Sequence, residues 1–193
     1  GETLDIGVGN FLDTFGRNLG LGFPAGPMID KLAEKGINYI ELPYTVKGMD
    51  FAFSGLQTKL DQLIKTKKHT KEDLCFSATE TSFAMLVEAA ERALAHTGKR
   101  ELLLGGGVGC NSRLQEMCEI MCRERGAKFF VPSRDLLVDN GGMIAYLGEI
   151  MFDKGLGFSG EDIKKVDIDF RFSGDLSKNI FRSAPKKDNN TDI

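Results

Sequence analysis

A chain of 193 residues, 41% hydrophobic and 27% charged, has the size and composition of one globular domain or two small ones. Its net charge of −3 excludes a protein that binds polyanions through bulk charge, though a local basic patch stays open because net charge does not map the surface. No apolar run is long enough to span a bilayer and no secretory or transit segment is visible. The four cysteines, Cys75, Cys110, Cys118 and Cys122, fit neither a disulfide framework nor a zinc pattern, so free thiols in a reducing cytoplasm are expected.

In chain order, Phe11, Leu12, Phe15 and Leu19 recur at helical spacing and predict an amphipathic helix that Gly20 and Gly22 end. Phe23-Pro24-Ala25-Gly26-Pro27 reads as a turn-rich elbow. Pro27 sits in the first turn of a second helix, which turns Ile29 and Leu32 inward and stops at Gly36. Residues 38 to 46 and 50 to 54 alternate in polarity and predict two strands joined by a turn at Lys47-Gly48-Met49. Leu56, Leu60, Leu63 and Ile64 mark a third helix, followed by a charged connection from Lys65 to Lys71. Ser77 and Glu80 have capping-box spacing, which predicts the start of a helix there. That helix carries Phe83, Leu86, Val87, Ala90 and Leu94 on one face and ends at Gly98.

Glu101 to Leu104 predicts a short strand, which runs into Gly105-Gly106-Gly107-Val108-Gly109-Cys110-Asn111. A helix carrying Leu114, Met117, Cys118, Met121 and Cys122 follows, then a strand at 128 to 131. Val138-Asp139-Asn140-Gly141-Gly142 leads into a last helix with Ile144, Leu147 and Met151. Alternating strands and helices predict an α/β layer with a partly parallel sheet. Residues 166 to 170 alternate as an edge strand would, and the chain is polar from Ser173 onward. The expected organisation is a mainly helical part with a short strand pair over 1–80, an α/β lobe over 81–172, and a polar tail or linker over 173–193.

The strand, glycine turn and helix around residues 102 to 122 carry the strongest chemical signal. Gly105, Gly106, Gly107 and Gly109 let the backbone approach a ligand, and the following helix start offers unpaired N–H groups to a phosphate or ribose. No Lys-Ser/Thr follows, so this is not a P-loop, and the dinucleotide fingerprint is absent too. A tight strand-to-helix turn is the alternative reading. Asn111 can cap the helix or bond a ligand. Asp139 can ligate a metal through oxygen, or cap a helix as Asn140 can. Asp13 on the first helix and Asp30 in the first turn of the second complete the acidic candidates; a solvated helix-start acid is the plain reading of Asp30. Neither His69 nor His96 has metal-pair spacing from a ligand, and Cys110 has no histidine near it in sequence.

Six segments occur together in order: GETLDIGVGNFLDTFGRNLGL, FPAGPMIDKLA, VKGMDFAFSGL, CFSATETSFAMLVEAAERAL, GGGVGCNSRLQ and VDNGGMIAY. With them the chain resembles the universal threonylcarbamoyl transferase family, specifically the archaeal and eukaryotic catalytic subunit of the KEOPS complex, over residues 1 to about 155. The resemblance implies an actin-like/Hsp70-like ATPase fold, an RNase H-like lobe with a helical insertion, and an N-terminal part of the fold missing from this chain. It implies a cytoplasmic enzyme that moves a threonylcarbamoyl group from threonylcarbamoyl-adenylate to the adenosine beside the tRNA anticodon. Matching motifs assign Asp13, Gly26, Asp30, Gly106, Gly107 and Asn111 to the adenylate or ATP, with Asp30 at the ribose. Asp139 matches the carboxylate ligand of one divalent metal ion (iron, zinc or magnesium).

The same resemblance implies tRNA and other KEOPS subunits as partners: a small dimerising subunit and an atypical protein kinase, fused at the C-terminus in some archaea. The tail after Ser173 is then the start of such a linker. Two departures stand out. The family's two metal-ligating histidines belong to an N-terminal segment that neither His69 nor His96 matches, so the chain alone is expected to be inactive. The elbow reads Pro-Ala-Gly where the family has Pro-Gly-Gly. The alternatives are an inactive fragment that serves as a partner-binding module, and an ATPase or sugar kinase of the same superfamily.

Overall fold

The computed structural model describes residues 1–156 and 160–165. They divide into two units, Gly1–Asp139 and the described residues from Asn140 onward. The edge strand expected at 166 to 170 and the tail from 173 lie outside the described residues.

The first unit is built on helices. α1 (Val8–Asn18) buries Phe11, Leu12 and Phe15. The Phe11 ring stacks on Phe53 at 5.4 Å between centroids and on Phe15 at 6.4 Å. Each of these buried rings stabilises the fold by roughly 1.5–3 kcal/mol. α2 (Gly26–Ala33) starts at the elbow with Pro27 in its first turn and buries Ile29. β1 (Val46–Lys47) and β2 (Asp50–Phe51) form an antiparallel pair around Gly48, whose φ of 63° suits glycine. This hairpin is much shorter than the two strands expected. Residues 38 to 45 run as irregular chain, and the N–H groups of Asn38 and Ile40 bond to α4 (Lys71–Thr97) instead of to a partner strand. Ile37 and Asn38 both donate their N–H to Asp73 at 3.0 Å, and Ile40 N–H donates to Ser77 Oγ at 2.8 Å.

α3 (Ser54–Thr66) buries Leu56 and Leu60 and precedes α4. The expected start of α4 at Ser77 is wrong by about two turns. Thr70 caps it, its Oγ accepting from Asp73 N–H at 3.1 Å. Ser77 is fully buried inside the helix, where its hydroxyl returns a bond to the Asp73 carbonyl. The capping-box pattern therefore marked an interior serine that serves a neighbouring segment, while the real cap was read as part of the charged connection. α4 is the central element, with α2 packed on one part of it and α5 on another. Gly36 lies so close to α4 that a Cβ would meet Phe76 Cβ at 2.4 Å and the Glu72 carbonyl oxygen at 2.6 Å.

β3 (Glu101–Leu103), α5 (Ser112–Glu124) and β4 (Lys128–Phe130) form a parallel crossover unit, with Leu102 opposite Phe129. Cys118, Met121 and Cys122 are buried as expected. A short helix not anticipated from sequence, α6 (Arg134–Leu137), buries Leu137. In the second unit α7 (Gly141–Asp153) is capped by Asn140, whose side chain accepts from Met143 N–H at 2.9 Å. Among the described residues no helix is long and apolar enough to cross a membrane.

Candidate functional site

The site grows from the α1–α2 elbow. Half-buried Asp13 accepts a hydrogen bond from Ala25 N–H at 3.1 Å, tying α1 to the first residue of the turn into α2. The close approach needs Gly16, because a Cβ there would lie 2.3 Å from Ala25 Cβ. Gly26 then opens α2, and Asp30 follows one turn later. Asp30 faces the start of α5, where Asn111 Nδ2 donates to its Oδ1 at 2.5 Å. Asn111 Oδ1 accepts from Leu114 N–H at 3.0 Å. One asparagine thus caps α5 and reaches α2, so both uses considered for it from sequence are made at once.

The glycine loop lies beside this junction. Gly106 has φ 87° and ψ 163°, a region open only to glycine. Gly105, Gly106 and Gly107 are exposed, and a 3₁₀ turn (Gly107–Cys110) follows, held by Gln115 Nε2 donating to the Gly109 carbonyl at 2.7 Å. The α-helix then starts at Ser112 with Asn111 as its cap, one of the two uses expected of that residue from sequence. Leu137 packs on Gly109, a Cβ at which would meet Leu137 Cδ2 at 3.4 Å, so the segment leading to Asp139 approaches the same loop.

Asp30 and Asn111 line a cavity of about 280 Å³, with Glu34, Thr79, Glu80 and Arg113 among the other lining residues. Arg113 is engaged: it donates twice to Glu80, at 2.6 and 2.8 Å, and once to Glu116 at 2.8 Å. These carboxylates push its pKa further up. Asp30 and Glu34 have no ion-pair partner within 4 Å among the described residues, so the cavity is net acidic. Burial raises the Asp30 pKa above its ordinary value; the Asn111 hydrogen bond opposes the rise and the nearby Glu34 charge adds to it. Thr79 Oγ1 is buried without a hydrogen-bond partner in this wall. Such a lining suits hydroxyl or amino donors of a ligand and repels a phosphate, which the exposed glycine loop is better placed to meet. A larger groove of about 760 Å³ between α4 and α5 includes none of the expected site residues.

Asp13, Gly26, Asp30 and Asn111 thus come together around one elbow, with Gly106 and Gly107 on the adjoining loop. Asp139 is exposed and makes no hydrogen bond or ion pair with the other described residues. Among the described residues no three His, Cys, Asp or Glu side chains cluster as a metal would require. A lone carboxylate does not by itself fit a divalent ion that needs several oxygen or nitrogen ligands. The Glu80–Arg113 pair was not picked out from sequence: the partners are 33 residues apart and meet only because α4 packs on α5.

The fold and the cavity define an α/β protein with an acid-lined cavity beside a glycine-rich loop. More particularly, the chain belongs to the TsaD family, tRNA N6-adenosine threonylcarbamoyltransferase, whose family model matches residues 1–146. It is 58% identical over 162 residues to the tRNA N6-adenosine threonylcarbamoyltransferase of Thermococcus sibiricus, covering 84% of this chain and 50% of the relative. It is 54% identical over 171 residues to the protein of that name from Methanococcoides burtonii, covering 89% of this chain and 50% of the relative. A Methanosarcina mazei protein named "Probable bifunctional tRNA threonylcarbamoyladenosine biosynthesis protein" is 54% identical over 171 residues, which span 89% of this chain but 31% of that one. The chain therefore spans about half the length of the first two relatives. Among solved structures, HypF of T. kodakarensis superposes with a TM-score of 0.60 at 21% identity, over 76% of this chain and 20% of that one. At that identity the likeness concerns the fold alone.

Proposed function

We propose that this chain is the C-terminal, nucleotide-facing part of a tRNA adenosine threonylcarbamoyltransferase with an actin-like ATPase fold, the catalytic subunit of a KEOPS-type complex. Its elbow holds the nucleoside of threonylcarbamoyl-adenylate or ATP. The observation that carries the reading is the Asn111–Asp30 hydrogen bond, which joins the glycine-loop helix to the elbow helix across 81 residues of sequence and forms one wall of an acidic cavity.

In this reading Asp30 and Asn111 receive ribose hydroxyls, while the loop amides at Gly106 and Gly107 face the phosphate. Asp13 acts indirectly by fixing the Ala25 amide and so the start of α2 at Gly26. The mixed anhydride carries AMP as a good leaving group, so the demands on the protein are orientation and stabilisation of charge on the phosphate and carbonyl. Asp139 would be one ligand of a divalent metal, for which the described residues gather no cluster of three His, Cys, Asp or Glu ligands. The bifunctional name of the M. mazei relative supports fusion with a second functional domain, and in this reading that domain is the atypical protein kinase.

Calorimetric titration of this chain with ATP and Mg²⁺ tests the site. Binding weakened at least ~10-fold by Asn111→Ser and by Asp30→Ala is expected, which corresponds to about 1.4 kcal/mol. Equal affinity in wild type and both variants would place the nucleotide elsewhere. The absence of any binding by the folded chain would favour the partner-binding module.

A further inference from the structure

The connection between α3 and α4 concentrates positive charge on a chain whose net charge is −3. Lys65, Lys67, Lys68 and Lys71 are all exposed, together with His69. None of the four lysines makes an ion pair or side-chain hydrogen bond with the other described residues. The acids beside them are otherwise engaged or set back. Asp61 takes the amides of Asn18 and Gln57, at 2.8 and 2.9 Å. Asp73 is buried and accepts from Ile37 and Asn38, while Glu72 is half-buried.

The patch is held by structure. α3 ends at Thr66 and α4 starts at Lys71, so Lys67 and Lys68 lie in a four-residue turn between two helices and Lys65 and Lys71 flank it. The Asn18–Asp61 bond ties the last turn of α1 to α3, and Lys71 Nζ lies 3.8 Å from where a Gly20 Cβ would stand. The patch therefore adjoins the C-terminal end of the helix that carries Asp13, about 8 Å along its axis at 1.5 Å per residue. Lys67 adopts φ 53°, the left-handed region, and is the only non-glycine among the described residues to do so. Glycine fills that helix-ending position with less strain, so a lysine there retains charge at some expense of stability.

The composition of the turn distinguishes the partner. No apolar side chain stands between Ile64 and Leu74, whereas protein docking surfaces draw on buried aromatic and aliphatic anchors and are depleted in lysine. Phosphate backbones are bound by such point charges without sequence readout. We propose that Lys65, Lys67, Lys68 and Lys71 form a docking surface for the phosphate backbone of RNA. This rests on the reading above, in which the substrate is a tRNA.

The test is fluorescence anisotropy of a labelled, unmodified tRNA transcript titrated with this chain at several NaCl concentrations. One variant replaces the four lysines by glutamine (K65Q, K67Q, K68Q, K71Q). A control removes equal charge from the β3–β4 end (K99Q, R100Q, R123Q, K128Q), where the residues are also exposed. The slope of log K against log salt is expected to fall by about 3 in the first variant and by less than about 1 in the control. Lys67→Gly is expected to raise the urea midpoint while lowering the slope by about 1. Unchanged slopes in the turn variants, or an equal fall in the control, would overturn the surface; an acidic protein that loses binding to the same variants would then be its occupant. A chain that binds ATP but no transcript would sink this proposal and leave the nucleotide site standing. A chain that binds neither would remove the reading beneath it as well.

Discussion

Replacing Asn111 by alanine removes two interactions of different kinds. The lost cap on Leu114 N–H costs about 1 kcal/mol. The lost hydrogen bond to the Asp30 carboxyl costs about 1 kcal/mol more. Asn111→Ser keeps a capping oxygen but is too short to reach Asp30, so about half of the loss is expected to return. With a urea dependence of about 2 kcal/mol per molar, the midpoints should fall by about 1 M for alanine and about 0.5 M for serine. The deficit should also depend on pH. Asp30 already has a raised pKa, and the Asn111 bond holds the rise down; without it the pKa climbs further. A raised carboxyl contributes stability below its unfolded value that is lost as pH rises through its folded value. The alanine deficit should therefore be smaller near pH 4 than near pH 7. Urea unfolding of the three proteins by circular dichroism at both pH values is the assay. Equal midpoints for alanine and serine, or a deficit that shrinks toward pH 7, would refute the dual role of Asn111.

Further predictions concern the frame around the site. Backbone and side-chain donation from Asn38, with the Ile37 amide, pulls the Asp73 pKa from 3.8 down to about 2. Its stabilisation is present above pH 3.8 and is lost as pH falls toward 2, so Asp73→Asn should flatten the acid limb of a stability–pH profile. Gly36→Ala must push α4 aside and should cost about 2 kcal/mol or more, read as a urea-midpoint shift. Burial pushes the Cys75 thiol up to about 12 and Cys118 up to about 11 and also raises Cys122, whereas Cys110 is part-exposed in the glycine loop. A thiol reagent at pH 8 should therefore modify one group rapidly in the native protein, and Cys110→Ser should abolish that phase.

The sequence made the helices legible wherever a 3.6-residue apolar stripe faces one core, as in Phe11, Phe15 and Leu19 or Leu114, Cys118 and Met121. It also located the elbow and glycine loop, because Pro27, Gly26 and Gly106 mark backbone geometry directly. It misplaced the start of α4, since Ser77 and Thr70 both have an acidic residue three positions on and only packing shows that Ser77 is buried. The strands at 38 to 54 were overestimated because polarity alternation reports one covered face and does not say whether a helix or a partner strand supplies the hydrogen bonds. Of the site, single residues were visible but not their joining. The Asn111–Asp30 bond and the Glu80–Arg113 pair arise from helix packing over long sequence separations, for which no local signal exists.

The most direct measurement is mass-spectrometric detection of threonylcarbamoyladenosine in a tRNA transcript, made by the full-length protein bearing this chain from threonylcarbamoyl-adenylate. The account predicts product from wild type and at least a ~10-fold lower rate for Asp30→Ala and Asn111→Ser, a loss of about 1.4 kcal/mol of transition-state stabilisation. Unchanged rates in both folded variants would contradict the assignment of the elbow as the adenylate site.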